Sequence, residues 1–150
     1  MTCYTCKRIE MIKNNKFPFF VEELETGYVV LGDHQYFRGY TLFIFKDHVT
    51  SINDIDKDIQ LKFMQDLLLV QEAVYKTFKC NGVDIELLSN SEHLTWHIFP
   101  REDGDVPNNS PVWSLHKSIL YNTYNMLNSN SAKEMVSDLR ETLNNLKKTR

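Results

Sequence analysis

The chain has little of what interrupts regular structure: 5 glycines and 4 prolines in 150 residues, enough to punctuate elements but not to build linkers. It has no repeat and no low-complexity tract, so repeat arrays and biased linkers are not indicated. Long apolar runs are missing too. The longest, Leu42 to Phe45 and Leu67 to Val70, fall far short of a membrane span, and Met1 to Lys7 offers no apolar stretch for a signal peptide. The expectation is a soluble, cytoplasmic protein with no membrane partner.

Charge of one sign is also lacking. With 17 basic and 20 acidic residues, a net charge of −3 provides no field to gather a nucleic acid polymer, although a local site for one nucleotide stays open. Cysteine is scarce and odd in number, at 3, and a cytosolic chain seldom keeps structural disulfides. Cys3-x-x-Cys6 therefore suggests metal or redox chemistry, and Cys80 reads as a buried bystander.

What the chain does have is apolar content, 42% of residues, enough for the core of one domain spanning 1–150. A short helix is expected from about Tyr4 to Lys13. Strand-like runs follow at Phe19 to Glu23, Gly27 to Leu31 and, after Arg38-Gly39, Tyr40 to Phe45. Between Asp56 and Lys79, residues Phe63, Leu67, Val70, Val74 and Phe78 recur at helical spacing, with Asp56 as cap and Asn81-Gly82 as terminator. Val83, Ile85 and Leu87 alternate with acidic residues as a half-buried strand does. The tail from about 131 to 147 carries an amphipathic helix behind Ser131-x-x-Glu134, which has the form of a capping box. This order gives an α+β domain with a mostly antiparallel sheet.

The segment His93-Leu94-Thr95-Trp96-His97-Ile98-Phe99 concentrates aromatic and β-branched residues and reads as a strand. His93, Thr95 and His97 then share one face, and Leu94, Trp96 and Ile98 face the core. On a helix, His93 and His97 would sit one turn apart and chelate one ion. On a strand they lie roughly 13 Å apart and must do different jobs.

Extended through Pro100-Arg101, this segment resembles the His-x-His-x-His signature of the histidine triad (HIT) family. Cys3-x-x-Cys6-Lys7, Arg38 to His48 and Asp105 to Trp113 match the family in the same order, so the resemblance covers about residues 3–114. It implies a HIT-like fold, an antiparallel sheet of about five strands with a main helix. It also implies a purine nucleotide or nucleotide conjugate as ligand, with hydrolysis of a dinucleoside polyphosphate or nucleoside phosphoramidate through a nucleotidyl-histidine. Zinc-binding relatives use a Cys-x-x-Cys, a histidine after the third strand and the first triad histidine. These map onto Cys3, Cys6, His48 and His93, a structural site of two thiolates and two imidazoles. A homodimer through the main helix and a strand edge is implied as well.

The departure from the family lies at Thr95, which stands where the nucleophilic histidine belongs. A threonine hydroxyl is nucleophilic only beside a base, and loss of a nucleophile costs on the order of 10⁶ in turnover. Three routes remain: attack by His97, activation of Thr95 or a water by His97, or binding without turnover. The Asn90 to His93 approach is also one residue shorter than the usual spacing. Asn90, His97, Asp33 and Arg101 are the candidate nucleotide contacts, with turn or strand-end roles as alternatives for Asn90, Asp33 and Arg101. Trp96 and Trp113 read as core or rim residues, and His34 and His116 as surface residues.

Overall fold

The computed structural model of the chain describes residues 2–89 and 91–150. Among these residues, five strands form one antiparallel sheet: β1 (Phe20–Glu23), β2 (Gly27–Leu31), β3 (Thr41–Phe45), β4 (Gly82–Leu87) and β5 (Thr95–Arg101), in the spatial order β1-β2-β3-β5-β4. Helix α1 (Tyr4–Lys13) precedes them, α2 (Lys57–Phe78) connects β3 to β4, and a short α3 (Lys117–Leu120) and long α4 (Ser129–Lys148) follow. The α+β architecture expected from the sequence is the one observed. Among the described residues no helix is long and apolar enough to cross a membrane.

Helix α2 forms because its apolar residues fall on one stripe, and that stripe covers one sheet face. Phe63, Leu67, Val70 and Val74 pack with Val29, Leu31, Phe43, Phe45 and Ile98, and with Leu139 and Leu143 of α4. Burying side chains of this size contributes about 1.5–3 kcal/mol each. The opposite face carries Tyr28, Val30 and Ile44 under Ile9 and Ile12 of α1. Farther along that face, Phe37, Phe99, Val112 and Leu120 form a third cluster with Tyr40 and Trp113 against it. Strand β2 is thus buried throughout.

Element boundaries differ from the sequence reading where local signals compete. Asp56 precedes α2 but makes no side-chain cap hydrogen bond, and the helix ends at Lys79 in the left-handed region (φ 52°) rather than at Asn81-Gly82. Gly82 instead opens β4. The C-terminal helix starts at Ser129, because the Asn128 side chain accepts from the Ser131 amide; Ser131 lies inside the helix, and the expected capping box does not form. The alternation in β4 does not sort cleanly into inside and outside, since Ile85 is exposed on this edge strand. Strand β5 begins at Thr95, and His93 sits in the bend before it.

Candidate functional site

Four metal-ligating side chains converge from three separated stretches of chain. Cys3 caps α1, its sulfur accepting from the Cys6 amide at 3.3 Å. His48 follows β3, His93 precedes β5, and the ligand atoms of Cys3, Cys6, His48 and His93 all lie within 4.8 Å of one another. Cys6 Sγ is 3.3 Å from His48 Nδ1 and 3.5 Å from His93 Nδ1, and Cys3 Sγ is 3.6 Å from His93 Nδ1. The other nitrogen of His93, Nε2, lies 2.8 Å from the Phe45 carbonyl. A carbonyl accepts only, so Nε2 carries the proton and Nδ1 presents a lone pair to the cluster.

The electrostatics suit a cation. Burial holds His93, 1% exposed, below the ordinary histidine range, and so in its neutral, ligating form. Burial and the neighbouring Cys3 sulfur raise the Cys6 thiol, a penalty that a bound cation would reverse. Two sulfurs and two imidazoles filling four directions make a closed set, so this cluster could hold a metal without an open catalytic position.

His97 lies elsewhere, as the strand geometry requires. Across β3–β5 it pairs with Leu42 and Thr95 with Ile44, on the α1 side of the sheet. Nδ1 of His97 is 2.7 Å from the Tyr40 hydroxyl. The rings of Tyr40, Phe99 and His97 are nearly parallel, with interplanar angles of 10° to 18°, and Trp113 stands edge-on to His97 at 88°. Burial in this aromatic surround pushes His97 down to about 4, so the imidazole is neutral near pH 7. A cleft of about 570 Å³ opens on it, walled by Leu88, Trp113 and Tyr121, with Ser89, Ser91 and Lys117 as its polar groups.

Thr95 is 6% exposed, and its hydroxyl donates to the His93 carbonyl at 2.9 Å. No described residue links it to His97. Asp33 forms an ion pair with Arg8, whose guanidinium also lies over the Tyr4 ring. Arg101 pairs with Asp84, donates to the Pro107 carbonyl and lies over Phe37. Asn90 lies outside the described residues. The structure therefore brings the four metal candidates together and sets His97 on a cleft, whereas Asp33 and Arg101 are occupied by protein partners. Trp96 packs on the main core and Trp113 rims the cleft, as expected. His116 does more than expected, because its ring accepts from the Ser118 amide at the start of α3.

Tyr40, Lys117, Ser89 and Ser91 were not singled out by the sequence. Tyr40 reaches His97 because β3 lies beside β5 rather than β4, and no local spacing announces that adjacency.

No protein-family model and no curated protein matches the chain. Solved structures do. A hypothetical histidine triad nucleotide-binding protein of Sulfolobus tokodaii superposes with a TM-score of 0.72 at 22% identity, covering 95% of this chain and 94% of the other. A zinc-bound histidine triad family protein of Mycobacterium smegmatis gives 0.70 at 18% identity over 100% and 99% of the two chains. A histidine triad protein of Bradyrhizobium japonicum gives 0.69 at 21%, covering 83% and 89%. The chain therefore has a histidine-triad-like fold.

Proposed function

We propose that the chain is a zinc-stabilised nucleotide-binding protein that seats the phosphate of a purine nucleotide or nucleotide conjugate against His97. The observation that carries this reading is the pairing of an open cleft at His97 with a Thr95 hydroxyl turned back onto the backbone of the bend before β5. The cleft offers a neutral imidazole, the Ser89 hydroxyl and one ammonium, a set that can bind a phosphate, whereas the Ser91 hydroxyl is bonded to the His93 backbone. Asn90, Asp33 and Arg101 are further candidates, although Asp33 and Arg101 would have to share or exchange their present partners. The likeness in fold to a hypothetical histidine triad nucleotide-binding protein supports the choice of ligand.

Zinc is the proposed ion. Tetrahedral bonds of about 2.3 Å to sulfur and 2.0–2.1 Å to nitrogen put neighbouring S and N ligands about 3.6 Å apart. Three of the four S···N separations, 3.3 to 3.6 Å, lie near that edge length, and all four ligand atoms lie within 4.8 Å of one another. Bound there, zinc would stabilise the junction of α1 with the loops after β3 and before β5.

Hydrolysis of a dinucleoside polyphosphate or nucleoside phosphoramidate is the second reading, with His97 and Thr95 as catalytic candidates. The neutral imidazole on the cleft favours it; the bonded, buried Thr95 hydroxyl does not. We also propose a cytoplasmic homodimer. Leu61, Met64, Leu68 and Tyr75 form an exposed stripe on α2, and β4 is an open sheet edge with Ile85 and Leu88 exposed. A second copy would cover both.

The test is thermal stabilisation of the zinc-loaded protein by a panel of purine nucleotides. A ligand at 100 times its dissociation constant adds about 2.7 kcal/mol, and His97→Ala should remove the shift. A melting curve unmoved by every nucleotide would overturn the reading.

A further inference from the structure

We infer that Tyr40 is a positioning residue that fixes the tautomer of His97, so that His97 presents Nε2–H to the cleft as a hydrogen-bond donor. The assignment rests on the proposed nucleotide reading only for the identity of the ligand.

The argument begins with how Tyr40 is held. Its ring lies against Gly32, where a Cβ would fall 2.3 Å from the ring, so only glycine permits this approach. On the other side it stacks on Phe99 at a centroid distance of 4.3 Å. Its backbone is tied by the Gln35 side-chain amide, which donates to the Tyr40 carbonyl at 3.0 Å, and by the Gly32 amide at 2.9 Å. The hydroxyl therefore has one reachable place, beside His97 Nδ1.

A neutral imidazole has one donor and one acceptor nitrogen. Among the described residues, Nδ1 is the acceptor within reach of the phenol proton. If Nδ1 carried the ring proton, it would donate to the phenol oxygen and leave the O–H without an acceptor, a costly arrangement away from water. The separation of 2.7 Å also suits an O–H donor better than an N–H donor, whose bonds cluster near about 2.9–3.0 Å. Burial pushes Tyr40 well above the ordinary tyrosine range, so its proton is present.

With Nδ1 accepting, the ring proton sits on Nε2. No described residue bonds Nε2, and His97 lines the cleft. A nitrogen that carries a proton has no lone pair with which to attack phosphorus or deprotonate Thr95 or water. It can donate to a phosphate oxygen, so Tyr40 selects a ligand-holding role for His97.

The experiment is long-range proton–nitrogen correlation NMR on zinc-loaded protein labelled with ¹⁵N-histidine at pH 7, His97 being assigned from the His97→Asn spectrum. The expected result is a protonated Nε2 and an unprotonated Nδ1 in the wild type. Tyr40→Phe keeps the stacked ring, loses this bias and shows tautomer averaging at His97, and binds AMP about tenfold more weakly, the size of one hydrogen bond. A merely structural role would lower the melting temperature without moving the tautomer. A wild-type proton on Nδ1, or an unchanged tautomer in Tyr40→Phe, overturns the assignment. The expected tautomer with an Nε2 signal unmoved by AMP and inorganic phosphate supports the role of Tyr40 and overturns the nucleotide reading instead.

Discussion

The Thr95 hydroxyl donates to the carbonyl of His93 at 2.9 Å, so the middle residue of the motif is bonded to the first. A hydroxyl spent on a backbone carbonyl is neither deprotonated nor aimed at the cleft. Thr95→His should replace it with an imidazole, a far better nucleophile near neutral pH. The expected gain on an adenosine phosphoramidate is at least about a hundredfold, a modest part of what a nucleophile supplies. Mass spectrometry of a quenched reaction should find a nucleotidyl adduct at residue 95 of the variant alone. A folded, zinc-loaded variant without gain would show that the cleft itself does not serve turnover.

The four-ligand cluster sets a second expectation. Elemental analysis of protein made with zinc available should find about one ion per chain, and chelation or Cys6→Ser should lower the melting temperature, because ligation is coupled to folding. His48→Ala should act in the same direction, since it removes one of four ligands. Protein free of metal and indifferent to chelator would remove the zinc assignment.

Stability should fall in mild acid partly through His97. Its folded value of about 4 lies below the ordinary 6.5, so between those values the unfolded chain binds more protons than the native one. The contribution is present above pH 6.5 and is lost as pH falls toward 4. The slope is at most about 1.4 kcal/mol per pH unit. His97→Phe, compared with wild type by denaturant unfolding across this window, should show a shallower decline. Identical declines would mean that His97 is not held neutral by the fold.

Asp66 is a buried carboxylate in the middle of α2, accepting from the Thr26 amide at 3.1 Å and the Thr26 hydroxyl at 2.6 Å, with Lys62 Nζ at 3.5 Å. It ties the turn between β1 and β2 to the main helix. Asp66→Ala leaves two buried donors unpaired and should destabilise by about 2–4 kcal/mol. Asp66→Asn, which keeps an acceptor, should cost less. Equal losses would show that charge rather than bonding matters there.

The proposed dimer is checked by sedimentation. Leu68→Glu places a charge in the exposed stripe of α2 and should shift the protein toward monomer with little change in helicity. A wild type that sediments as a monomer at high micromolar concentration would end that proposal.

Much of the fold was readable from periodicity. The stripe from Phe63 to Phe78 points to a helix. The aromatic and β-branched run from His93 to Phe99 points to a strand with His93, Thr95 and His97 on one face, which the fold realises from Thr95 onward while His93 stays in the bend before it. These are local rules, set by 3.6- and 2-residue repeats that each segment carries alone. The metal set was legible only through the motif resemblance, because Cys6, His48 and His93 are far apart in the chain. Ends of elements were less legible: Ser131-x-x-Glu134 has the form of a capping box, yet the Asn128 side chain takes the Ser131 amide and the helix starts at Ser129. Tertiary structure alone decided the rest. Placing β5 between β3 and β4 carried Tyr40 to His97, folded the 113–121 segment over the imidazole, and turned Arg101 toward Asp84. Strand order is fixed by burial of both sheet faces, a property of the whole chain that no single segment encodes.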